Sequence, residues 1–293
     1  MAPIMKAFSL FLLSSLTSAY WIDPETCGSL EKGTEVLQAA FESAKTMIQD
    51  GAQLLADRNN EPKINDLAKL VFGTDQSISG ALQFFSRVAR SISTHKKSIN
   101  KDAIRLYCGD SFLDVDLTIN PNMPMTYDFS NDDWIAGKQK LSGNDDHAFT
   151  YSDTVTGTVK WSAIVMQPND IVIWRNNPTL TIDRLIAHLI STGNAKNGGR
   201  DHADNICVGM DAIMAHELFH SVLAMNNGEY NTRAVDIKDG NGNDIGYEWG
   251  SIRGRAQDGQ GYRNADSLAY FACLASLVKK LDWEVDASGA LMT

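Results

Sequence analysis

Two histidines four residues apart, with a glutamate directly after the first, are the residues of this chain whose spacing can do chemistry: His216-Glu217-Leu218-Phe219-His220. On a helix, positions i and i+4 lie one above the other on one face. His216 and His220 can therefore offer two imidazole nitrogens to a single zinc ion. Glu217 lies one step round the helix. From there it can take the proton of a water as that water attacks a carbonyl. The flanking residues Ile206, Val208, Ile213, Met214, Leu218, Phe219, Val222 and Leu223 are apolar. Their pattern predicts a buried helix from about Ile206 to Leu223, capped by Asp204 or Asn205. A surface helix with two incidental histidines would show a polar face. A buried His-Glu-His cluster needs a partner for every polar group.

Catalytic zinc takes three protein ligands and keeps one open position. The H-E-x-x-H-x-x-G-x-x-H form, which supplies a third histidine, is absent, because Ser221 to Glu229 contains no histidine. Two aspartates flank a Gly/Asn-rich stretch further on, Asp236 at its start and Asp244 at its end. The stretch reads as hairpin turn chemistry. It is not an EF-hand, since the sixth and twelfth loop positions are Asp244 and Gly250.

Beyond it stand Tyr247-Glu-Trp249-Gly250 and Asn264-Ala265-Asp266-Ser-Leu-Ala269-Tyr270-Phe-Ala272. H-E-x-x-H, an aspartate before an aromatic-Gly segment, and N-A-D-x-x-A together resemble the deuterolysin-type aspzincin metalloendopeptidases, which are secreted zinc enzymes. The resemblance covers roughly Asp204 to Leu277. It implies a zincin-like catalytic domain, His216 and His220 as zinc ligands, and Glu217 as general base. It also implies a third ligand from aspartate, for which Asp236 is preferred and Asp244 is the alternative. Asp266 matches the N-A-D aspartate, which in the family shapes the pocket beyond the scissile bond and could favour a basic side chain there. Lysine-specific relatives carry a second acid three positions later. Ala269 stands there, so strict lysine specificity is not implied. The family's G-T-x-x-D is missing. Trp249 occupies the place of a tyrosine that stabilises the oxyanion, and Tyr247 is the candidate to replace it.

The chain around this site is built for export. Met1 to Lys6 is a basic start, Ala7 to Leu16 is mostly apolar, and Thr17-Ser18-Ala19 ends small-x-small. This reads as a secretory signal peptide over residues 1–19. The apolar run is too short for a membrane span, and no later stretch is long enough. The four cysteines, Cys27, Cys108, Cys207 and Cys273, suit two disulfides in an exported chain. Three connectivities are open. One of them ties Cys27 to Cys108 and Cys207 to Cys273. No Asn-x-Ser/Thr sequon occurs. With 36 acidic residues against 26 basic, the net charge is −10. No basic patch with interleaved aromatics appears, so nucleic acid is not an expected partner.

Residues 20–100 read as a helical region. Apolar residues recur at helical spacing over Glu31–Asp57, from Ile64 to Phe72, and from Ile78 to Ile92, with Glu61-Pro62 and Gly73 as breaks. This region is either a scaffold for the catalytic part or an inhibitory pro-region. Lys96-Lys97 is the only dibasic pair near its end, and scaffold is the preferred reading. Residues 101–293 form the expected catalytic domain. Strands are predicted at Ala103–Cys108, Phe112–Thr118, Thr154–Met166 and Asp170–Trp174, with a long loop over Asn120–His147. Helices follow at Thr181–Ser191 and Asn264–Leu281. One strand near the metal helix is expected to pair with extended substrate. His188 and His202 are not spaced as ligands.

The expectation is an α+β, zincin-like chain holding one Zn2+ ion and acting as a secreted, monomeric metalloendopeptidase on a protein or peptide substrate. The alternative is a secreted zincin-like protein that binds zinc or a surface without cleaving.

Overall fold

The computed structural model describes residues 20–94, 104–109, 113–116, 125–128, 133–136, 147–152, 159, 161–177, 180–194, 202–237 and 248–293. The leader, the Lys96-Lys97 pair, Asp244 and Tyr247 lie outside the described residues. The chain is mixed helix and sheet, as the α+β expectation has it.

Strand β1 (Tyr20–Ile22) leads into a short helix α1 (Pro24–Gly28), which starts because Asp23 accepts the Thr26 N–H at 2.7 Å. Helix α2 (Gly33–Ala56) buries Val36, Leu37, Ala40, Phe41, Ala44, Met47 and Ile48, a stripe at the helical period. Pro62 opens α3 (Pro62–Phe72) and Gly73 closes it. At φ +81°, Gly73 lets the Ala256 carbonyl approach where a Cβ would collide. Helix α4 (Asp75–Thr94) completes the helical region.

Strand β2 (Ile104–Cys108) pairs in parallel with β1. Three short strands, β3 (Leu113–Asp116), β4 (Met125–Asp128) and β5 (Asp133–Ala136), form an antiparallel sheet of their own. Two of these fall inside the expected loop of Asn120–His147. Four ladder residues per strand are enough for pairing, whereas loop composition averages over the whole segment. Strand β6 (Ala148–Ser152), which sequence analysis does not predict, runs antiparallel to β7 (Ser162–Met166). The main sheet has the order β1-β2-β7-β6, parallel except for β6 at its edge.

The segment expected as a strand at Asp170–Trp174 is a helix, α5 (Pro168–Trp174). Its Ile-Val-Ile run favours strand. Pro168 in the first helical turn and Asp170 just inside it favour helix. Helix α6 (Ile182–Ser191) forms where a helix is expected, and Thr181 caps it by accepting the Arg184 N–H. The helix carrying His216 and His220 is shorter than predicted. A separate turn α7 (Ala203–Ile206) precedes α8 (Met210–His220), whose N-cap is Gly209 and not Asp204 or Asn205. Helix α9 (Trp249–Gln257) and helix α10 (Ala265–Leu281) follow, and a small hairpin of β8 (Glu284–Val285) and β9 (Leu291–Met292) ends the chain.

Helix α8 is surrounded. Helices α2 and α10 pack along it and β6 crosses it. Phe85 of α4 meets Phe219 of α8 and Phe271 of α10 edge-on, at ring-centroid distances of 5.1 and 5.6 Å. One apolar core therefore includes both the helical region and α8. The two disulfides are Cys27–Cys108 and Cys207–Cys273, joining α1 to β2 and the residue after α7 to α10. Among the described residues no helix is long and apolar enough to cross a membrane.

Asp211, in the first turn of α8, is fully enclosed. Its carboxylate accepts the Ser43 hydroxyl of α2 and the Ile182 N–H of α6, each at 2.6 Å, and the Ala212 N–H at 3.0 Å. Burial pushes this carboxyl from its ordinary 3.8 up to about 6, against the pull of those donors. The stability contributed by that raised value is full below pH 3.8 and is lost as pH rises through about 6. Asp211→Ala would strand buried donors on two other helices. It should lower unfolding stability by about 3 kcal/mol, read as a fall in the urea midpoint. Asp211→Asn, which keeps one acceptor, should cost less than half of that.

Candidate metal centre

Within α8, His216 and His220 sit one turn apart with their rings 4.6 Å between centroids. Their Nε2 atoms are 2.9 Å from each other. Asp236 completes the group, with Oδ1 3.2 Å from His216 Nε2 and 3.0 Å from His220 Nε2. These three residues could hold a metal ion. For tetrahedral zinc with bonds near 2.0–2.1 Å, ligand atoms lie about 3.3 Å apart. The triangle found here is slightly tighter.

Asp236 arrives there through a backbone clamp. After α8 the chain returns so that the Ala234 N–H donates to the Phe219 carbonyl at 3.2 Å. The Val235 N–H then donates to Arg263 and its carbonyl accepts from Ala265, at 2.9 and 3.2 Å. The same clamp fixes the start of α10, which carries Asp266. One short parallel bridge, Val235 to Asn264, therefore aligns two acids with two histidines.

The outer nitrogens are engaged. His216 Nδ1 lies 2.7 Å from Asp266 Oδ1, and His220 Nδ1 lies 3.0 Å from the Ala234 carbonyl. Both partners can only accept, so each Nδ1 carries the proton and donates. In the neutral rings the lone pairs are then on Nε2, facing one another and a carboxylate. Three acceptors within 3.2 Å repel unless a cation lies between them. Without a metal, a proton must serve. Burial alone would drive His216 down, but Asp266 and Asp236 outweigh it and hold its pKa well above the ordinary value. Burial alone would raise Asp236, but the hydrogen bonds from the two histidines hold its carboxyl well below the usual range. The donor set thus fits a divalent cation, with both supporting hydrogen bonds already made.

Glu217 is buried and faces the same cleft of about 380 Å³ as His216, Asp266 and Tyr270. The Thr150 hydroxyl of β6 lies 2.6 Å from Glu217 Oε2 and 3.1 Å from the Glu217 carbonyl. Its single proton serves the shorter contact. The edge strand thereby holds the glutamate side chain.

Asp204 serves neither the metal nor the α8 cap. Its Oδ1 accepts the Trp249 N–H at 2.6 Å and the Tyr270 hydroxyl at 3.1 Å. Burial first, and then the Asp204 charge, raise the Tyr270 pKa, which keeps the phenol protonated. Trp249 is buried, and its indole N–H donates to the Ala287 carbonyl at 3.2 Å, so it supplies nothing to the cleft. His188 is exposed on α6, and His202 caps α7.

Sequence reasoning missed Thr150, and also His147 at the cleft mouth, whose Nδ1 is 2.8 Å from Asp170. The alternation in Ala148-Phe-Thr-Tyr-Ser could have signalled the strand. Nothing local links it to a glutamate 67 residues away.

Comparison of the chain with family models, with curated proteins and with solved structures returns no match.

Proposed function

We propose that this chain is a secreted zinc endopeptidase of zincin-like fold, related to the deuterolysin-type aspzincins, with His216, His220 and Asp236 as the zinc ligands and Glu217 as general base. One observation carries the reading. Two Nε2 atoms and a carboxylate oxygen converge with their supporting hydrogen bonds already made, beside a buried glutamate in the same cleft. A mixed nitrogen and oxygen set suits zinc better than magnesium or calcium, which prefer oxygen alone. Zinc, when bound, lowers the pKa of a water and polarises a carbonyl.

The chain's own residues do the rest. Asp266 and Ala234 orient the two imidazoles. Glu217 takes the water's proton and returns it to the leaving amine. Thr150 holds the Glu217 carboxylate toward the cleft. Strand β6 lies at the sheet edge across α8, and its antiparallel sense suits addition of an extended peptide as one further strand. Tyr247 is the proposed oxyanion partner. The two disulfides fit an oxidising compartment and so support export.

A second reading, zinc binding without cleavage, is favoured by one observation. Trp249 is buried in the place of the family's oxyanion tyrosine, and the Tyr270 hydroxyl is given to Asp204. Zinc content per purified chain, measured beside hydrolysis of a mixed peptide library, separates the two. One zinc with cleavage supports the peptidase, and one zinc without cleavage supports the binder. A chain that takes up no zinc refutes both.

Thr150→Val should lower kcat about tenfold while zinc content and KM stay unchanged, because it frees the base without touching a ligand. An unchanged kcat would remove Thr150 from the mechanism.

A further inference from the structure

A second cavity lies between α4 and the chain that follows α8, and its charge is opposite in sign to the chain's net −10. Its volume is about 610 Å³, within the range of small-molecule sites. Gln83, Ser86, Arg87 and Arg90 of α4 form one wall, and Asn226 and Thr232 form the other. Each of these side chains bears an N–H or O–H group. No carboxylate lines the cavity among the described residues. Helical spacing sets the first wall: Gln83, Ser86 and Arg90 stand at i, i+3 and i+7, while Phe85, Val88 and Ile92 turn to the core. Arg87 is its fixed point. The guanidinium carbon sits 5.0 Å from the centroid of the Phe84 ring. Nη1 donates to the Ala224 carbonyl at 3.1 Å and to the Thr232 carbonyl at 3.4 Å. The Nε proton and both Nη2 protons make no hydrogen bond among the described residues, and no carboxylate there pairs with the guanidinium. The second wall is held as firmly. A tight turn at Asn227-Gly228, both at positive φ, presents Asn226. The Thr232 hydroxyl accepts the Asn226 N–H and donates to the Glu229 carbonyl, each at 2.7 Å.

A guanidinium already pinned along one edge loses little freedom when its other edge takes a ligand. The edge formed by Nε and Nη2 matches two oxygens of a phosphate or sulfate. Donors on both walls suit a tetrahedral oxyanion, whose oxygens point in several directions, better than a flat carboxylate. We infer that this cavity binds a phosphate or sulfate group, free or as the ester of a small molecule, with Arg87 as its anchor. It shares no lining residue with the cleft beside His216 and Glu217. The site therefore stands whether or not the chain binds zinc or cleaves peptides.

The test is calorimetric titration of the full chain at fixed ionic strength. The probes are glucose 6-phosphate, glucose 6-sulfate, inorganic phosphate and glucose. The anions should bind with a Kd of about 1 mM or tighter, and glucose should not bind. Inorganic phosphate binding as tightly as the esters would make the free ion the ligand, and binding at least tenfold weaker would make it the ester. Ser86→Glu sets a carboxylate among the donors and should weaken every anion at least tenfold with the melting temperature unchanged. Gln83→Glu, on the exposed face of the same helix, should do the same, and it carries the test if Ser86→Glu does not fold. No binding of any anion, glucose binding as tightly as its esters, or anion affinities that neither variant lowers would overturn the inference.

Discussion

Glu217→Gln should reduce peptide hydrolysis by about 10³-fold, within the range for loss of a general base, while the protein keeps one zinc per chain. The substitution is isosteric. The glutamine carbonyl oxygen can still accept the Thr150 hydroxyl that now lies 2.6 Å from Glu217 Oε2. The amide cannot take a proton from water at any working pH. Glu217 is not among the residues that converge as ligands, so metal affinity should stay within a few-fold. KM should also hold, because no substrate group has been removed. The expected result is a fall confined to kcat with an unchanged melting temperature. A variant as active as the parent would remove Glu217 as the base. A variant that lost its metal would make it a ligand instead.

Metal removal is the second large effect, and its size should depend on pH. In the metal-free protein His216 has a raised pKa, held up by Asp266 and Asp236 against burial. A raised base contributes stability that is full below its unfolded value of 6.5 and is lost as pH rises through its folded value. Asp236 has a lowered pKa, so its contribution is present above 3.8 and is lost only in stronger acid. The imidazolium–carboxylate cluster therefore steadies the metal-free chain in mildly acidic solution and fails it at alkaline pH. Zinc held by these residues would follow the opposite course, since it would have to displace the His216 proton and would bind better as pH rises. The gap in melting temperature between zinc-loaded and chelator-treated protein should be small near pH 5.5 and should exceed about 10 °C near pH 8 with zinc well above its Kd. His220→Ala should abolish that gap at both pH values. A gap that stayed flat or shrank with rising pH would contradict the pairing of His216 with the metal.

Much of the metal group was legible in the sequence because it is local. His216 and His220 are four residues apart, and any helix through them stacks their rings. The apolar residues around them announce burial, and the apolar period of the last helix likewise sets Ala265–Leu281. Asp236 was separable from Asp244 only by preference. The clamp of Val235 on Asn264, which carries Asp236 to the histidines, is a contact between distant segments.

Local pattern alone therefore marks the helical region, the helix carrying His216, Glu217 and His220, and the four cysteines available for bridging. Packing settles everything else. It paired Cys27 with Cys108 and Cys207 with Cys273, and made α5 a helix against the strand preference of Ile171-Val172-Ile173. It moved the α8 cap from Asp204 to Gly209 and spent Asp204 on Trp249 and Tyr270. It placed Thr150 against Glu217 and Ser43 against Asp211, across 67 and 168 residues of sequence. The reason is physical. Periodicity and capping act within a few residues and leave a mark on the sequence. A buried hydrogen bond between distant side chains forms only once packing has brought their backbones together, and neither partner's neighbours record it.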